Sequence, residues 1–376
     1  MVAGKRRGKK NNTYFDYNLL FITIFLLCFG LVMLYSSSSY TSANKYGDSA
    51  YYLKLQFRNI LIGLIPMFFL ARIDYRVWKR FGMVAYIGAF LLCVLVMIPI
   101  PGLTRSSHGQ SRWIQLGPLS FQPSEVAKLA VIVFMAMLIE KTCRQLAQVK
   151  SLLKVLGIMA PLLAVIAYSN LSTAVIIFGI IVCMLFVASP KYMQFVSVGL
   201  FGVAFVVIFI ITASYRGGRV EAWLHPETAG DDGYQTMQGL YAIGSGGLFG
   251  KGLGESLQKM GNVPESQNDM IFTIICEELG LFGAVSVILL FLLLIWRMMI
   301  IANNAQDLFG ALLVSGVMSH IAIQVILNIA VVTNTIPNTG VILPFISYGG
   351  TSLIFLMAEI GLVLSVSKGI RLENIG

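Results

Sequence analysis

The sequence has little charge and few residues that bind metals. Only 12% of its 376 residues are Asp, Glu, Lys or Arg, whereas a soluble domain has about 25%. So few charged residues exclude a water-soluble enzyme, because they cannot supply the polar surface that such a protein needs. The five cysteines are spread along the chain without a C-x-x-C pair, and the three histidines are scattered. A disulfide framework and a metal cluster of His and Cys are therefore excluded as well.

Long apolar runs dominate the sequence instead. Hydrophobic residues make up 57% of the chain, and a helix of about 20 mostly apolar residues crosses a bilayer. We identify ten candidate runs, at residues 17–35, 57–71, 82–100, 124–139, 155–168, 173–188, 195–212, 270–294, 309–331 and 351–367. They predict an all-α polytopic membrane protein whose ten transmembrane helices form one domain, residues 17–367.

The basic residues predict how these spans are oriented. With the N-terminus placed inside, 17 of the 27 Lys and Arg residues lie on the inner side. Cytoplasmic loops carry such an excess, so the basic N-terminus, 1–16, and the C-terminus, 368–376, are predicted to be cytoplasmic. The net charge of +10 then reflects loop charge and does not indicate a nucleic-acid partner. Residues 214–269 become a large extracytoplasmic loop between helices 7 and 8, in which residues 233–243 predict a short amphipathic helix.

Glu125 and Lys128 form an ionisable pair at the start of the fourth span. Their spacing of three residues places them on one helical face. Ionisable side chains in a membrane are costly, so by default they mark a site and face a polar cavity or a partner. A structural ion pair that holds the helix is an equally good interpretation.

Asp269 ends the long loop and directly precedes an apolar run. A partly desolvated carboxylate in that position is suited to act as a general base or as a cation ligand. By helix propensity alone, it is more readily explained as an N-cap aspartate. For Glu277 and Glu278, two turns deeper, structural pairing is the favoured interpretation.

Basic residues and glycines give the long loop a phosphate-binding character. Arg216, Arg219, Lys251 and Lys259 make a cationic surface beside the membrane, which suits a lipid headgroup or a pyrophosphate. Side chains that snorkel to the interface are the alternative. The glycine-rich residues 244–254 do not fit the P-loop pattern, and taken alone they are a weak signal.

The turn before the tenth span, residues 337–352, places helix-breaking residues within apolar sequence. Irregular backbone at membrane depth requires cover by protein or by a water-filled cavity. We expect this turn to line the same cavity as Glu125 and Asp269.

With these residues the chain resembles the SEDS family of bacterial shape, elongation, division and sporulation proteins, which includes FtsW, RodA and SpoVE. The resemblance covers essentially the whole chain and rests on several motifs in the same order. They are Arg-Trp-Ile-Gln-Leu-Gly at 112–117 with residues 121–128, Gly-Tyr-Gln at 233–235, residues 242–254, residues 264–272 with 277–280, and residues 343–350. Residues 120–121 and 341–343 are more similar to FtsW and SpoVE than to RodA.

The resemblance implies a peptidoglycan glycosyltransferase that polymerises lipid II at the outer face of the bacterial cytoplasmic membrane. It also implies a class B penicillin-binding protein as partner, together with other membrane proteins of the division or elongation complex. Asp269 matches the family's essential aspartate, and Glu125 and Lys128 match its buried pair. We expect no organic cofactor, and a divalent cation (Mg or Mn) at Asp269 is a further expectation.

The reaction transfers a glycosyl unit from a polyprenyl pyrophosphate to a sugar hydroxyl. It needs a base at the hydroxyl and positive charge at the departing pyrophosphate. Asp269 is the candidate base, Lys128 and the loop arginines are candidates for the charge, and Glu125 would hold Lys128. We expect substrate contacts from Arg112, Trp113, Gln122, Ser124, Arg216, Arg219, Lys251, Ser266, Ser347, Tyr348 and Gly349.

The sequence departs from the family pattern at two places. Asn170 stands where family members commonly carry an aspartate, and Gln267 and Asn268 replace a His-Thr pair before Asp269. Two other functions stay open: a lipid II flippase or transporter, and a non-catalytic scaffold of the cell-wall synthesis complex. The motif-bearing loops lie on one side, which favours the polymerase because transporters usually place their site near the midplane.

Overall fold

The computed structural model describes residues 14–98, 100, 104–107, 110–116, 119–143, 146, 148–189, 198–199, 202 and 214–370. Nearly all of the predicted seventh span lies outside these ranges. The predicted tails 1–16 and 368–376 are described only in part.

Helices dominate the described residues. They are α1 (Tyr17–Tyr46), α2 (Tyr51–Arg72), α3 (Trp78–Met97), α4 (Pro123–Thr142), α5 (Val149–Ser169), α6 (Leu171–Ala188), α7 (Ser214–Leu224), α8 (Gly230–Ser245), α9 (Ile271–Asn303), α10 (Leu308–Val332) and α11 (Gly350–Ser367). Within the described residues, eight of them are long and apolar enough to cross a membrane: α1, α2, α3, α5, α6, α9, α10 and α11.

α4 is a buried helix that carries four charged side chains. They are Glu125, Lys128, Glu140 and Lys141, which make the helix too charged for the apolar set. It packs against α3, α6 and α10, and most of its residues are buried. Neighbouring helices therefore surround α4, and its charges need not face lipid.

A small antiparallel sheet lies between α3 and α4. Its strands β1 (Thr104–Ser107), β2 (Gln110–Leu116) and β3 (Leu119–Phe121) pair in the order β1-β2-β3, with Ile114 opposite Thr104 on one side and Phe121 on the other. The predicted all-α fold did not include this sheet. The strands are short and partly polar, so they lack the apolar alternation that predicts a strand.

Residues 214–270, which precede α9, contain two helices. The predicted amphipathic helix at 233–243 is confirmed as part of α8, which packs on α9. α7 packs on α8 and was not predicted. We call the end of the bundle that carries these two helices the loop side.

α9 is interrupted, and a glycine loop, residues 246–254, fills the interruption. Gly280 has φ 66° and ψ −164°, which breaks the helix. The main-chain N–H of Lys251 donates to Glu277 at 2.9 Å, and that of Leu281 donates to the carbonyl of Gly247 at 2.9 Å. A Cβ at Gly250 would lie 2.1 Å from the carbonyl oxygen of Glu278. The glycines therefore let main chain dock on main chain.

Gly30 sets the closest approach between α1 and the turn before α11. A Cβ at this position would lie 2.6 Å from the carbonyl oxygen of Phe345 and 2.8 Å from the Cα of Ile346. Phe345 itself has a positive φ of 64° and is buried. The main chain of the turn therefore packs directly on α1, with no room for a side chain at Gly30.

We expect the Gly30→Ala change to lower the thermal stability of the detergent-solubilised protein, because overpacking costs about 1–3 kcal/mol. Gly88→Ala in α3 is the matched control, since a Cβ there meets nothing within 4 Å. Fluorescence-detected size-exclusion chromatography after heating measures both melting temperatures. Equal melting temperatures for the two variants would contradict this explanation.

Candidate functional site

Asp269 lies in the loop directly before α9 and is only 7% exposed. The N-cap of α9 is Met270, so the N-cap interpretation of Asp269 is wrong. The side-chain amide of Asn328 donates to the carbonyl of Asp269 at 2.7 Å and to that of Val341 at 2.8 Å. The carboxylate lies beside Gly340, where a Cβ would be 4.0 Å from Oδ2 of Asp269.

The surroundings of Asp269 hold its carboxyl ready to exchange a proton near neutral pH. Burial is the largest effect and raises the pKa of Asp269 to about 7. Its own main-chain N–H opposes this shift, Glu265 adds to it by charge repulsion, and Arg219 opposes it by attraction. A group with a pKa in this range is suited to general base catalysis.

The turn before α11 packs directly against the Asp269 loop. Ser347 closes the turn, because Leu343 N–H donates to Ser347 Oγ at 2.9 Å and Ser347 N–H donates back to the Leu343 carbonyl at 3.1 Å. Tyr348 N–H donates to the carbonyl of Gln267 at 2.9 Å. Gly349 is the N-cap of α11. The turn therefore contacts the loop that carries Asp269.

Glu125 and Lys128 form a second group on α4. Nζ of Lys128 lies 2.9 Å from Oε1 of Glu125, and both side chains are at least nine-tenths buried. Oε2 of Glu125 has no hydrogen-bond partner within the described part of the chain. The predicted common face is therefore confirmed, and one carboxylate oxygen is left to accept a further bond.

A small cavity of about 10 Å³ lies beside the start of α4. Arg112, Gln122 and Ser124 are among the residues that line it. Arg112 donates from Nε to the carbonyl of Ser169 at 2.8 Å, which joins β2 to the end of α5. Trp113 is half-buried in the same strand. Asp269 and the turn residues do not line this cavity, so the single shared cavity that we expected is not observed there.

Two of the lysines predicted to form a cationic surface make ion pairs within the protein instead. Lys251 pairs with Glu277 at 2.7 Å, and Lys259 pairs with Glu278 at 2.7 Å. Ser36 of α1 also donates to Glu278. The structural pairing predicted for both glutamates is confirmed, and the charge of Lys251 is already balanced.

Of the two arginines predicted to give the long loop positive charge, the structure describes the side chain of Arg219. Arg219 of α7 donates from Nη1 to the carbonyl of Asn338 at 3.4 Å and acts electrostatically on Asp269. The side chain of Arg216 lies outside the described residues. Ser266 donates to the carbonyl of Ser37 at 3.1 Å, which ties the Asp269 loop to α1.

The structure adds residues that the sequence analysis missed. Asn328 was hidden in an apolar run, where its only signal was an amide at membrane depth. Ser172 of α6 donates a hydrogen bond to the carbonyl of Thr339 at 2.8 Å, which ties α6 to the turn before α11. Asn170, the departure from the family pattern, caps α6 by accepting a bond from Thr173 N–H at 3.3 Å.

A metal ion would find few side-chain ligands in this region. Among the described residues, no group of three or more His, Cys, Asp or Glu side chains is placed to hold a metal. Mg²⁺ commonly binds through one or two carboxylates together with substrate phosphates. Asp269 fits a site of that kind, in which the substrate supplies the remaining oxygens.

Comparison with known sequences places the chain among proteins of cell growth and division. A family model described as "Cell cycle protein", covering FtsW, RodA and SpoVE, matches residues 17–371. The chain is 41% identical to "Stage V sporulation protein E" of Bacillus subtilis, over 94% of this chain and 97% of the relative. It is 37% identical to "Probable peptidoglycan glycosyltransferase FtsW" of Geobacter sp. (strain M18), over 95% and 98%.

Solved structures have the same fold. One match is a chain of the solved structure described as "Structural coordination of polymerization and crosslinking by a peptidoglycan synthase complex". Its TM-score is 0.79 and its identity 27%, over 96% of this chain and 99% of that one. Rod shape determining protein RodA of Thermus thermophilus matches with a TM-score of 0.71 and 27% identity, over 95% and 98%.

We expect Glu278→Gln to destabilise the protein strongly, because it leaves Lys259 buried without its counter-charge. Loss of one partner of a buried ion pair costs about 3–5 kcal/mol. The matched control is Asp48→Asn, which breaks the exposed pair between Lys54 and Asp48. Thermal unfolding in detergent should show a large decrease for Glu278→Gln and none for the control. A decrease of equal size in both would refute the assignment.

Proposed function

The chain belongs to the FtsW, RodA and SpoVE family of cell cycle proteins, and from this premise we propose that it is a peptidoglycan glycosyltransferase that polymerises lipid II. It is a multi-pass membrane protein, as the eight apolar helices among the described residues indicate. The observation that carries the proposal is Asp269, a buried carboxylate with a pKa of about 7 that lies within electrostatic range of Arg219. The relatives of this chain include proteins named as probable peptidoglycan glycosyltransferases.

In the proposed reaction Asp269 acts as the general base. It accepts the proton of the acceptor sugar hydroxyl while that oxygen forms a bond to the anomeric carbon of the donor. The bond between this carbon and the donor's pyrophosphate breaks, and the electron pair leaves with the pyrophosphate. Base catalysis of this kind contributes about 10² to 10⁴ in rate.

Positive charge is needed where the pyrophosphate departs. Arg219 is the first candidate for this charge, because it lies within electrostatic range of Asp269. Lys128 is the second candidate, held by Glu125, and it spends one of its three N–H donors on that carboxylate. Arg112, Trp113, Gln122 and Ser124 would contact substrate beside Lys128, while Ser266, Ser347, Tyr348 and Gly349 would do so beside Asp269.

A divalent cation, Mg or Mn, is part of the proposal. Asp269 would hold it together with substrate phosphate oxygens, and the ion would neutralise charge on the pyrophosphate. The residues of the chain would orient the acceptor and remove its proton.

The proposed topology has ten transmembrane helices, with both termini in the cytoplasm and residues 214–269 outside, between helices 7 and 8. The site would then lie at the outer face of the bacterial cytoplasmic membrane. A class B penicillin-binding protein is the proposed partner, with other membrane proteins of the division or elongation complex. The structural similarity to a chain of a peptidoglycan synthase complex supports this choice.

Asp269→Asn should abolish polymerisation of lipid II without loss of the fold. Burial disfavours the ionised Asp269, so a neutral amide should leave the melting temperature at pH 8 unchanged or higher. Glu255→Gln, an exposed carboxylate of the same segment, is the matched control and should remain active. Glycan chain length is measured in liposomes that contain lipid II, a divalent cation and the partner. An active Asp269→Asn variant would exclude Asp269 as the base.

Polymerisation should also increase as the pH rises through about 7. Only the ionised carboxylate accepts a proton, and burial has raised the pKa of Asp269 to about 7, so its ionised fraction grows between pH 6 and pH 8. The initial rate at low lipid II concentration measures this dependence. A rate that is flat across this interval would be inconsistent with a base of that pKa.

A further inference from the structure

We propose that Asn328 is a positioning residue that sets the place of Asp269 relative to the turn before α11, an inference that rests on the proposed function. The amide nitrogen of Asn328 bridges the Asp269 and Val341 carbonyls at 2.7 and 2.8 Å. One side chain of α10 thus joins the start of α9 to the turn.

The surroundings of Asn328 make this bridge rigid. The residue is fully buried, and both acceptors are main-chain carbonyls of residues that are themselves buried. A buried carbonyl that loses its donor is costly, so the two bonds hold both segments against the amide. Gly340, next to Val341, is the residue beside the Asp269 carboxylate. Movement of Val341 would therefore change what the carboxylate faces.

A buried hydrogen bond between α10 and α11 restrains the rotation of α10 that aims Asn328. His320 lies two turns deeper on the same helical face, at i−8. Its Nδ1 is 2.8 Å from Oε2 of Glu359 in α11, and both side chains are buried. Rotation of α10 would separate this pair within the helix bundle. The pair and the amide bridge thus act on one face of α10.

Asn328→Leu tests the role, because leucine fills a similar volume without donating hydrogen bonds. We expect kcat for lipid II polymerisation to fall about 10- to 100-fold, as for a small misplacement of a catalytic group, with KM unchanged. Gln324→Leu is the matched control, since it removes a buried amide one turn away on the same face. It should retain the wild-type kcat.

Asn328→Gln covers the case in which the leucine variant does not fold. It keeps the donors but moves them by one methylene, so kcat should again fall while KM stays. An unchanged kcat in a folded Asn328 variant would overturn the positioning role, and so would a rise in KM alone or an equal loss in the Gln324 control. A wild-type protein that does not polymerise lipid II would contradict the proposed function itself, and this role with it.

Discussion

The loop side of the protein depends on the docking of the glycine loop into the interrupted helix α9. Gly280 breaks the helix, and the exposed main-chain groups pair with residues 247–252. Glu277 and Glu278 stand beside the break, where their charges would be costly without Lys251 and Lys259. Main-chain pairing and charge neutralisation act on the same few residues. The chain that leads on to Asp269 is thereby fixed to the bundle.

The three carboxylates of this region differ in whether a lysine neutralises their charge. Glu277 and Glu278 are each balanced by a lysine, whereas no ion pair of Asp269 is found in the described part of the chain. Asp269 is held through its main chain by Asn328 and keeps its carboxylate available. A fully paired aspartate would be stable and a poor base. The arrangement keeps Asp269 in place at the expense of some stability.

The candidate site consists of two groups that different helices carry. Glu125 and Lys128 lie on α4, which is enclosed by other helices and can therefore carry charge. Asp269 lies between the start of α9, the end of α10 and the turn before α11.

The sequence alone determined the eight apolar spans found among the described residues, the helix at 233–243, and the shared face of Glu125 and Lys128. Each follows from local rules, since apolar burial adds up residue by residue and the helical repeat relates positions three apart. The tertiary structure decided which lysine pairs with which glutamate, that Asp269 is not an N-cap, and that Asn328 bridges two distant segments. These depend on contacts between residues far apart in the chain. Hydropathy carries no record of which buried polar groups will meet.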